Sequence, residues 1–141
     1  MVNKHEIMFN YMAQCPEIRD LFLNFSTSEK GDTVIATSAN EFEVASFVDG
    51  SALKWYDFAI IQYKPLTTEP NDLENAAVIF DVEKVMAWLA DQEEAGNYPD
   101  FGAKCEVQEI AVLQNAPTVA GQDQNGAKYM FSCRVEYLER K

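Results

Sequence analysis

FVDGSALKWYDFAIIQYKP, residues 47–65, decides the fold because it predicts a long β-strand that is apolar on both faces. Successive side chains of a strand point to opposite faces of its sheet. One face carries Tyr56, Phe58 and Ile60, and the opposite face carries a second set: Leu53, Trp55, Ala59, Ile61 and Tyr63. A small domain can cover one face of such a strand with its own helices. The stretch therefore raises the question of what covers the other face.

Length and composition limit the class of protein. The chain has 141 residues, 48% of them hydrophobic, which suits one domain with a sizeable core over residues 1–141. The apolar runs are too short to span a bilayer, and the N-terminus lacks the apolar stretch of a signal peptide. We therefore expect no membrane association and a cytoplasm-like compartment. Three cysteines without CxxC spacing predict buried free thiols rather than a disulfide framework.

The charge balance disfavours proteins that grip nucleic acid. The chain has 23 acidic and 11 basic residues, which gives a formal net charge of −12. Such a field repels phosphate, so sequence-reading and phosphate-binding functions are not expected. An acidic surface still suits a protein past which DNA slides without being retained.

Periodicity and turn signals predict an α+β domain with helices packed on a mainly antiparallel sheet. An N-terminal helix over 3–13, alone or kinked into a second short helix over 17–23, begins the chain. A three-stranded antiparallel meander follows, with strands over 33–39, 41–48 and 51–64. Asp49-Gly50 predicts a tight type I′ hairpin turn between the last two of these strands, because both central positions of that turn need positive φ.

The second half of the chain predicts a central helix and a C-terminal strand pair. The helix lies between a capping Asn71 and a terminating Gly96. The strand pair covers 103–114, with a bulge near Glu109, and 127–138, whose apolar and polar residues alternate without interruption. A polar loop over 116–126, too long for a tight hairpin, connects the two strands.

No residue pattern predicts catalysis. His5 is the single histidine, and its place in the first helical turn predicts a solvated side chain rather than a member of a catalytic or zinc site. Glu41 and Glu43 share a strand face, and Asp57 lies on the Trp55 face of the long strand. We interpret the first two as a solvated pair and Asp57 as a hydrogen-bonding group at an interface. No catalytic residue, metal site or cofactor is therefore predicted.

Several segments resemble small tailed-phage proteins that are described as minor capsid proteins. The length and element order are also similar to tail-terminator (tail-completion) proteins of long-tailed phages, and the resemblance covers essentially the whole chain. It rests on these segments: the helix with Ile7 and Tyr11, Phe47–Gly50 leading into Lys54–Ile60, the helix with Val85–Leu89, the Tyr98–Asp100 turn and the strand Tyr129–Val135.

The resemblance implies a subunit of a hexameric ring that ends the tail tube and joins it to the head-completion or neck proteins. The implied partners are further copies of the chain, the tail tube protein and the neck protein, and DNA would pass through the lumen without specific binding. The implied location is the tail or neck of the virion, after assembly in the cytoplasm of the bacterial host. The implied role is structural, without enzymatic activity or cofactor.

We assign residues to this role as expectations. Subunit contacts are expected at four positions on the second face of the long strand: Trp55, Asp57, Ile61 and Tyr63. Lumen-facing carboxylates are expected at Glu41, Glu43 and Asp123. Docking onto the tube or neck is expected through the loop that carries Asn115, Pro117, Gln122 and Asn125.

Two other functions remain open at this stage. A small-ligand-binding or hydrolytic α+β domain would enclose an apolar pocket lined by Tyr56, Phe58 and Trp88, together with a buried carboxylate. An acidic adaptor that mimics DNA would bind a DNA-binding enzyme in a salt-sensitive manner.

Overall fold

Two helices and seven strands make up the described part of the chain, and the strands form one sheet. The computed structural model describes residues 3–18, 20–23, 32–37, 42–65, 73–122 and 126–141. The elements in chain order are α1 (Lys4–Met12), β1 (Asp20–Leu23), β2 (Asp32–Thr37), β3 (Phe42–Ser46), β4 (Ala52–Pro65), α2 (Leu73–Ala95), β5 (Cys105–Val112), β6 (Thr118–Gln122) and β7 (Gly126–Glu139). The predicted α+β class with a mainly antiparallel sheet is confirmed, whereas the arrangement of several elements differs.

The sheet is built around β4 and β7, which pair along their whole length. Each strand has 14 residues, and the antiparallel register runs from Ala52 opposite Glu139 to Pro65 opposite Gly126. The alternation that predicted β7 is confirmed, because its inward side chains are buried from Tyr129 to Tyr137. The sheet order β1-β2-β4-β7-β5 places this pair at the centre.

The predicted meander is wrong, because β2 and β3 lie one after the other along the same edge of β4. β2 pairs with the second half of β4, where Thr33 lies opposite Gln62, and β3 pairs with its first half, where Phe42 lies opposite Trp55. A strand as long as β4 offers enough backbone donors and acceptors for two short partners. The chain therefore needs no pairing between β2 and β3 themselves.

The other edge of the central pair is arranged in the same way. β5 and β6 both pair with β7, so the stretch predicted as a polar loop over 116–126 contains a strand. The predicted bulge in β5 is confirmed by a register shift between Val107 and Glu109. The C-terminal part of the sheet is therefore three strands rather than a pair.

The predicted second helix over 17–23 is also wrong, since β1 occupies its last residues. β1 pairs in parallel with β2, and Phe22 lies opposite Val34. Leu21 and Phe22 are both half-buried in this pairing. Pairing and packing at the sheet edge outweigh the weak helical pattern of the segment, as expected when a short apolar stretch is ambiguous from periodicity alone.

Both helices were predicted, although for α1 no capping residue was predicted. Asn3 caps α1, its side-chain oxygen accepting hydrogen bonds from the backbone N–H groups of His5 and Glu6. Gly96 follows α2 with φ of 70°, and the N–H of Asn97 donates to the carbonyl of Gln92, as in a Schellman motif. The predicted cap Asn71 lies outside the described residues.

Both helices pack on one side of the sheet, the inner face, which carries Tyr56, Phe58 and Ile60. The core there is closed to solvent, and Phe131 and Ile60 are both 0% exposed. Burying each large apolar side chain contributes about 1.5–3 kcal/mol. The main contributors from the helices and β7 are Met8, Tyr11, Met12, Val82, Val85, Met86, Leu89, Tyr129, Phe131, Cys133, Val135 and Tyr137.

Candidate functional site

The outer face of the sheet, opposite the helices, is half-exposed over the described residues. On β4 it carries the six half-buried side chains of Leu53, Trp55, Asp57, Ala59, Ile61 and Tyr63. The four residues predicted as subunit contacts therefore lie together on one surface. Both described helices pack on the inner face, so neither of them covers this second face.

Trp55 and Arg134 form the centre of a polar cluster on the outer face. The Arg134 guanidinium lies 3.6 Å from the centre of the Trp55 ring, a cation–π contact. Trp55 Nε1 donates to Glu136 Oε1 over 3.0 Å, and the Phe42 ring stacks on the indole with centroids 5.5 Å apart. Four side chains from three strands thus hold one another in place.

Asp57 is paired with Arg134 through two hydrogen bonds. Arg134 Nε donates to Oδ1 over 2.9 Å, and Nη2 donates to Oδ2 over 3.2 Å. The bonds to Asp57 raise the pKa of Arg134 above its ordinary value. The sequence did not reveal this partner, since the pairing depends on the β4–β7 register that places Asp57 opposite Arg134. An interface role for Asp57 stays a prediction. Its carboxylate oxygens have further lone pairs that could accept hydrogen bonds from a neighbouring subunit.

Replacing Asp57 with alanine should lower the free energy of unfolding by no more than about 1 kcal/mol. The two side chains are 40% and 29% exposed, so water already screens much of their attraction. Urea denaturation at low and high salt measures the effect, which should shrink as salt rises. Glu106→Ala is the matched control, because its pair with Arg140 is more exposed and should contribute nearly nothing. A loss well above 2 kcal/mol would contradict this estimate of the Asp57 pair.

Small side chains form a depression in the middle of the outer face. The recess, as we term it, has a volume of about 340 Å³. Ala36 and Ala59 lie opposite each other on β2 and β4, and Ser132 continues the row on β7. Leu113, which is 46% exposed, adds an apolar wall. The recess is thus an open apolar surface beside the Asp57–Arg134 pair.

The β3–β4 hairpin presents apolar side chains to solvent. Phe42, Val44 and Phe47 are 59%, 39% and 49% exposed, and Val48 at the tip is fully exposed. Large apolar side chains grouped in this way are typical of an interaction surface. Sequence reasoning missed this group, because it predicted only that residues 41–48 form a strand, and a strand prediction does not say which side chains stay uncovered.

The hairpin turn is placed one residue earlier than predicted. The N–H of Gly50 donates to the Phe47 carbonyl, so Val48 and Asp49 are the central residues and Gly50 follows them with φ of 90°. This arrangement needs positive φ only at the glycine, unlike a type I′ turn. Asp49 Oδ1 accepts hydrogen bonds from Ser51 Oγ and from the Ser51 N–H, which fixes the tip.

The Asp49 carboxylate should stabilise this tip in a pH-dependent way. The Ser51 hydroxyl, and then the Ser51 N–H, lower the pKa of Asp49 below its ordinary value. A depressed pKa means that the stabilisation is complete above the ordinary pKa of about 3.9 and is lost as pH falls through the lower folded value. NMR titration of the Asp49 carboxyl measures it, and Ser51→Ala should return the pKa towards normal. An Asp49 pKa that Ser51→Ala leaves unchanged would contradict the assignment.

The predicted lumen and docking residues are only partly described. Glu43 is exposed on β3, whereas Glu41, Asp123 and Asn125 lie outside the described residues. Asn115 is exposed and Pro117 half-buried in the connection between β5 and β6, and the backbone of Gln122 ends β6. Of the described ones, Glu43 lies opposite Lys54 on β4, whereas Asn115 and Pro117 lie at the other edge of the sheet, between β5 and β6.

The connection that holds Asn115 and Pro117 is fixed by Gln114. Its Nε2 donates to the carbonyls of Ala116 and Met130, and its Oε1 accepts from the Ser132 N–H over 3.1 Å. The side chain thus supplies pairing to β7 in the gap between β5 and β6. The described part of the predicted docking segment, residues 115–122, thus lies along the edge of the sheet beside β7.

His5 is not the solvated side chain that its position predicted. It is half-buried, and its Nδ1 lies 2.7 Å from the Tyr56 hydroxyl in a hydrogen bond. Tyr56 is buried beneath α1, so this pair ties the helix to the inner face. Among the described residues, no group of three His, Cys, Asp or Glu side chains is placed to hold a metal ion.

Neither described helix combines the length and the apolar character needed to cross a membrane.

No protein-family model matches this chain, and the search of curated proteins found no match either. The outer face of the sheet and the β3–β4 hairpin are therefore the two described surfaces that point to a function.

Proposed function

We propose that this chain is a structural subunit that assembles with copies of itself into a ring, through the outer face of its sheet. We further propose that the ring ends the tail tube of a long-tailed phage and joins it to the neck. Both helices of the described chain lie on the inner face, which leaves the aromatic and aliphatic side chains of the outer face half-exposed. This half-exposed face is the observation that carries the proposal.

The distribution of charge supports contact between copies at this face. A net charge of −12 repels identical copies, so a contact surface must be locally balanced. Asp57 and Arg134 balance each other there, and Lys128 lies 5.1 Å from the centre of the Tyr63 ring. Trp55, Ile61 and Tyr63 can then supply apolar contact, while the Glu136 carboxylate accepts the hydrogen bond of the Trp55 indole. A ring is the closed form of a head-to-tail contact.

The acidic balance also suits the proposed passage of DNA. Carboxylates that face a lumen repel the phosphate backbone, and Glu43 is an exposed carboxylate of the kind required. The proposal assigns the chain no catalytic residue and no cofactor. Its partners are further copies, the tail tube protein and the neck protein, and its place is the tail or neck of the virion.

The alternative with an enclosed ligand pocket has less support. The rings expected to line it pack directly against other side chains, with Tyr56 and Phe58 centroids 6.2 Å apart and Tyr56 and Phe101 centroids 5.7 Å apart. Trp88 contacts the Tyr11 ring in the same core, with centroids 5.6 Å apart. These rings fill the space between helices and sheet.

A tube-capping assay tests the proposed role. Purified tail tube protein is polymerised with and without the chain, and tube lengths and ends are imaged by negative stain. We expect shorter tubes with a ring at one end when the chain is present. Unchanged tube length and bare tube ends, with tail tube proteins from several long-tailed phages, would contradict the role as terminator.

A further inference from the structure

We propose that the tip of the β3–β4 hairpin docks into the recess of a second copy of the chain, with Phe47 and Val48 against Ala36 and Ala59. This inference rests on the proposed self-assembly and names the two surfaces that meet. It does not depend on the phage partners. Each copy would give its hairpin to one neighbour and its recess to another.

The hairpin tip is rigid enough to act as a docking element. Asp49 accepts two hydrogen bonds from Ser51, and the Phe47 N–H donates to the Ser51 carbonyl over 2.8 Å. A fixed tip loses little conformational entropy on binding, which favours affinity. The backbone that carries Phe47 and Val48 is therefore already ordered before a partner binds.

The two surfaces cannot meet within one copy. The hairpin lies beyond Ala52 at the start of β4, while the recess lies at Ala59 of the same strand. Seven residues of extended strand separate them by about 23 Å at roughly 3.3 Å per residue. Both surfaces belong to one rigid strand, so only another copy can bring a hairpin to this recess.

Charge and area both favour a second copy as the occupant. The recess adjoins the Asp57–Arg134 ion pair, whose two charges cancel, and at the tip the aliphatic part of the Lys141 side chain lies against Gly50. The exposed apolar hairpin residues offer on the order of 400 Å². A standard interface takes about 800 Å² from each partner, so the outer face around the recess must supply the remainder. Trp55 and Ile61 lie on that surface.

Salt dependence separates this occupant from a basic partner protein. Two copies with a net charge of −12 repel, so added salt should strengthen their association by screening. Docking onto a basic protein would weaken under the same change. Sedimentation velocity between 50 mM and 500 mM NaCl is therefore expected to show more assembly at high salt. Weaker assembly at high salt would overturn the choice of a second copy.

Mixed cross-linking tests the contact itself. Val48→Cys and Ala59→Cys chains are prepared in a Cys105→Ser background, in which serine keeps a donor near Glu139 and the other two cysteines are buried. The two variants are mixed, treated with a short bismaleimide and mapped by peptide mass spectrometry. We expect a peptide that joins position 48 of one copy to position 59 of another. Ala87→Cys, exposed on α2, replaces Ala59→Cys as the matched control.

Each outcome decides the inference. A joined 48–59 peptide at least ten times as abundant as the 48–87 control supports docking in the recess. Equal yields, a joined 48–48 peptide alone, or no joined peptide overturns it. Cross-linking without tube capping would keep this contact and remove the phage-tail role, whereas capping without cross-linking would keep the role and remove this contact.

Discussion

Replacement of Phe131 by alanine is expected to lower the free energy of unfolding by about 3–5 kcal/mol. Phe131 is 0% exposed at the centre of β7, opposite Ile60 of β4. Truncation removes the transfer free energy of the ring and leaves a cavity between the central strands and the helices. Chemical denaturation followed by circular dichroism measures the loss, which is a large share of the stability of a domain this size.

Met130→Ala is the matched control, because Met130 precedes Phe131 in the same strand but lies on the outer face. It is half-buried and pairs with Ile61 there. We expect a cost below about 1.5 kcal/mol, since little of a closed cavity is created. Equal losses for the two variants would contradict the assignment of one buried and one half-exposed face.

Trp55→Glu is expected to weaken self-association by about 30-fold or more while the chain stays folded. The substitution removes a large aromatic surface from the proposed contact and adds a carboxylate to an already acidic chain, and an interface anchor of this kind contributes about 2 kcal/mol or more. The half-buried position should keep the folding cost below about 2 kcal/mol. Sedimentation equilibrium measures association, and thermal denaturation measures folding.

Trp55→Phe separates the two contributions of the indole. Phenylalanine keeps a ring near Arg134 and Phe42 but removes the Nε1 donor to Glu136. We expect it to retain most of the association. If the folded Trp55→Glu chain associates as strongly as the unchanged chain, the outer face around Trp55 is not the contact surface.

The sequence predicted those elements whose signals are local. The uninterrupted alternation from Tyr129 to Tyr137 identified β7, and Gly96 marked the end of α2, where it has positive φ. The two-faced pattern of residues 51–64 identified β4. Each of these features is decided by neighbours a few residues apart, which is why they could be predicted without knowledge of the pairing.

The errors concern features that depend on distant partners. β2 and β3 share one edge of β4 because that strand is long enough for both, and no local signal distinguishes this arrangement from a meander. β1 and β6 are short strands that form only by pairing with longer ones. Their residues, taken alone, favoured a helix and a loop.

In the candidate site, too, the features with a local signal were predicted and those that depend on distant partners were not. Alternation placed Trp55, Asp57, Ile61 and Tyr63 on one face, as the structure has them. The partner of Asp57 required the β4–β7 register, which sets Arg134 opposite it. The exposed hairpin could have been suspected from Phe47 and Val48 at a turn, where apolar residues are unusual. Its exposure depends on the absence of covering side chains, which a sequence does not display.

The mass of the assembled particle tests the proposed ring most directly. Sedimentation velocity is run on the purified chain alone and on material released from tail tubes after incubation. We predict a discrete particle whose mass is a whole-number multiple of 15.9 kDa, six copies if the resemblance to tail terminators holds. A single 15.9-kDa species at every concentration, with none retained on the tubes, would contradict self-assembly through the outer face.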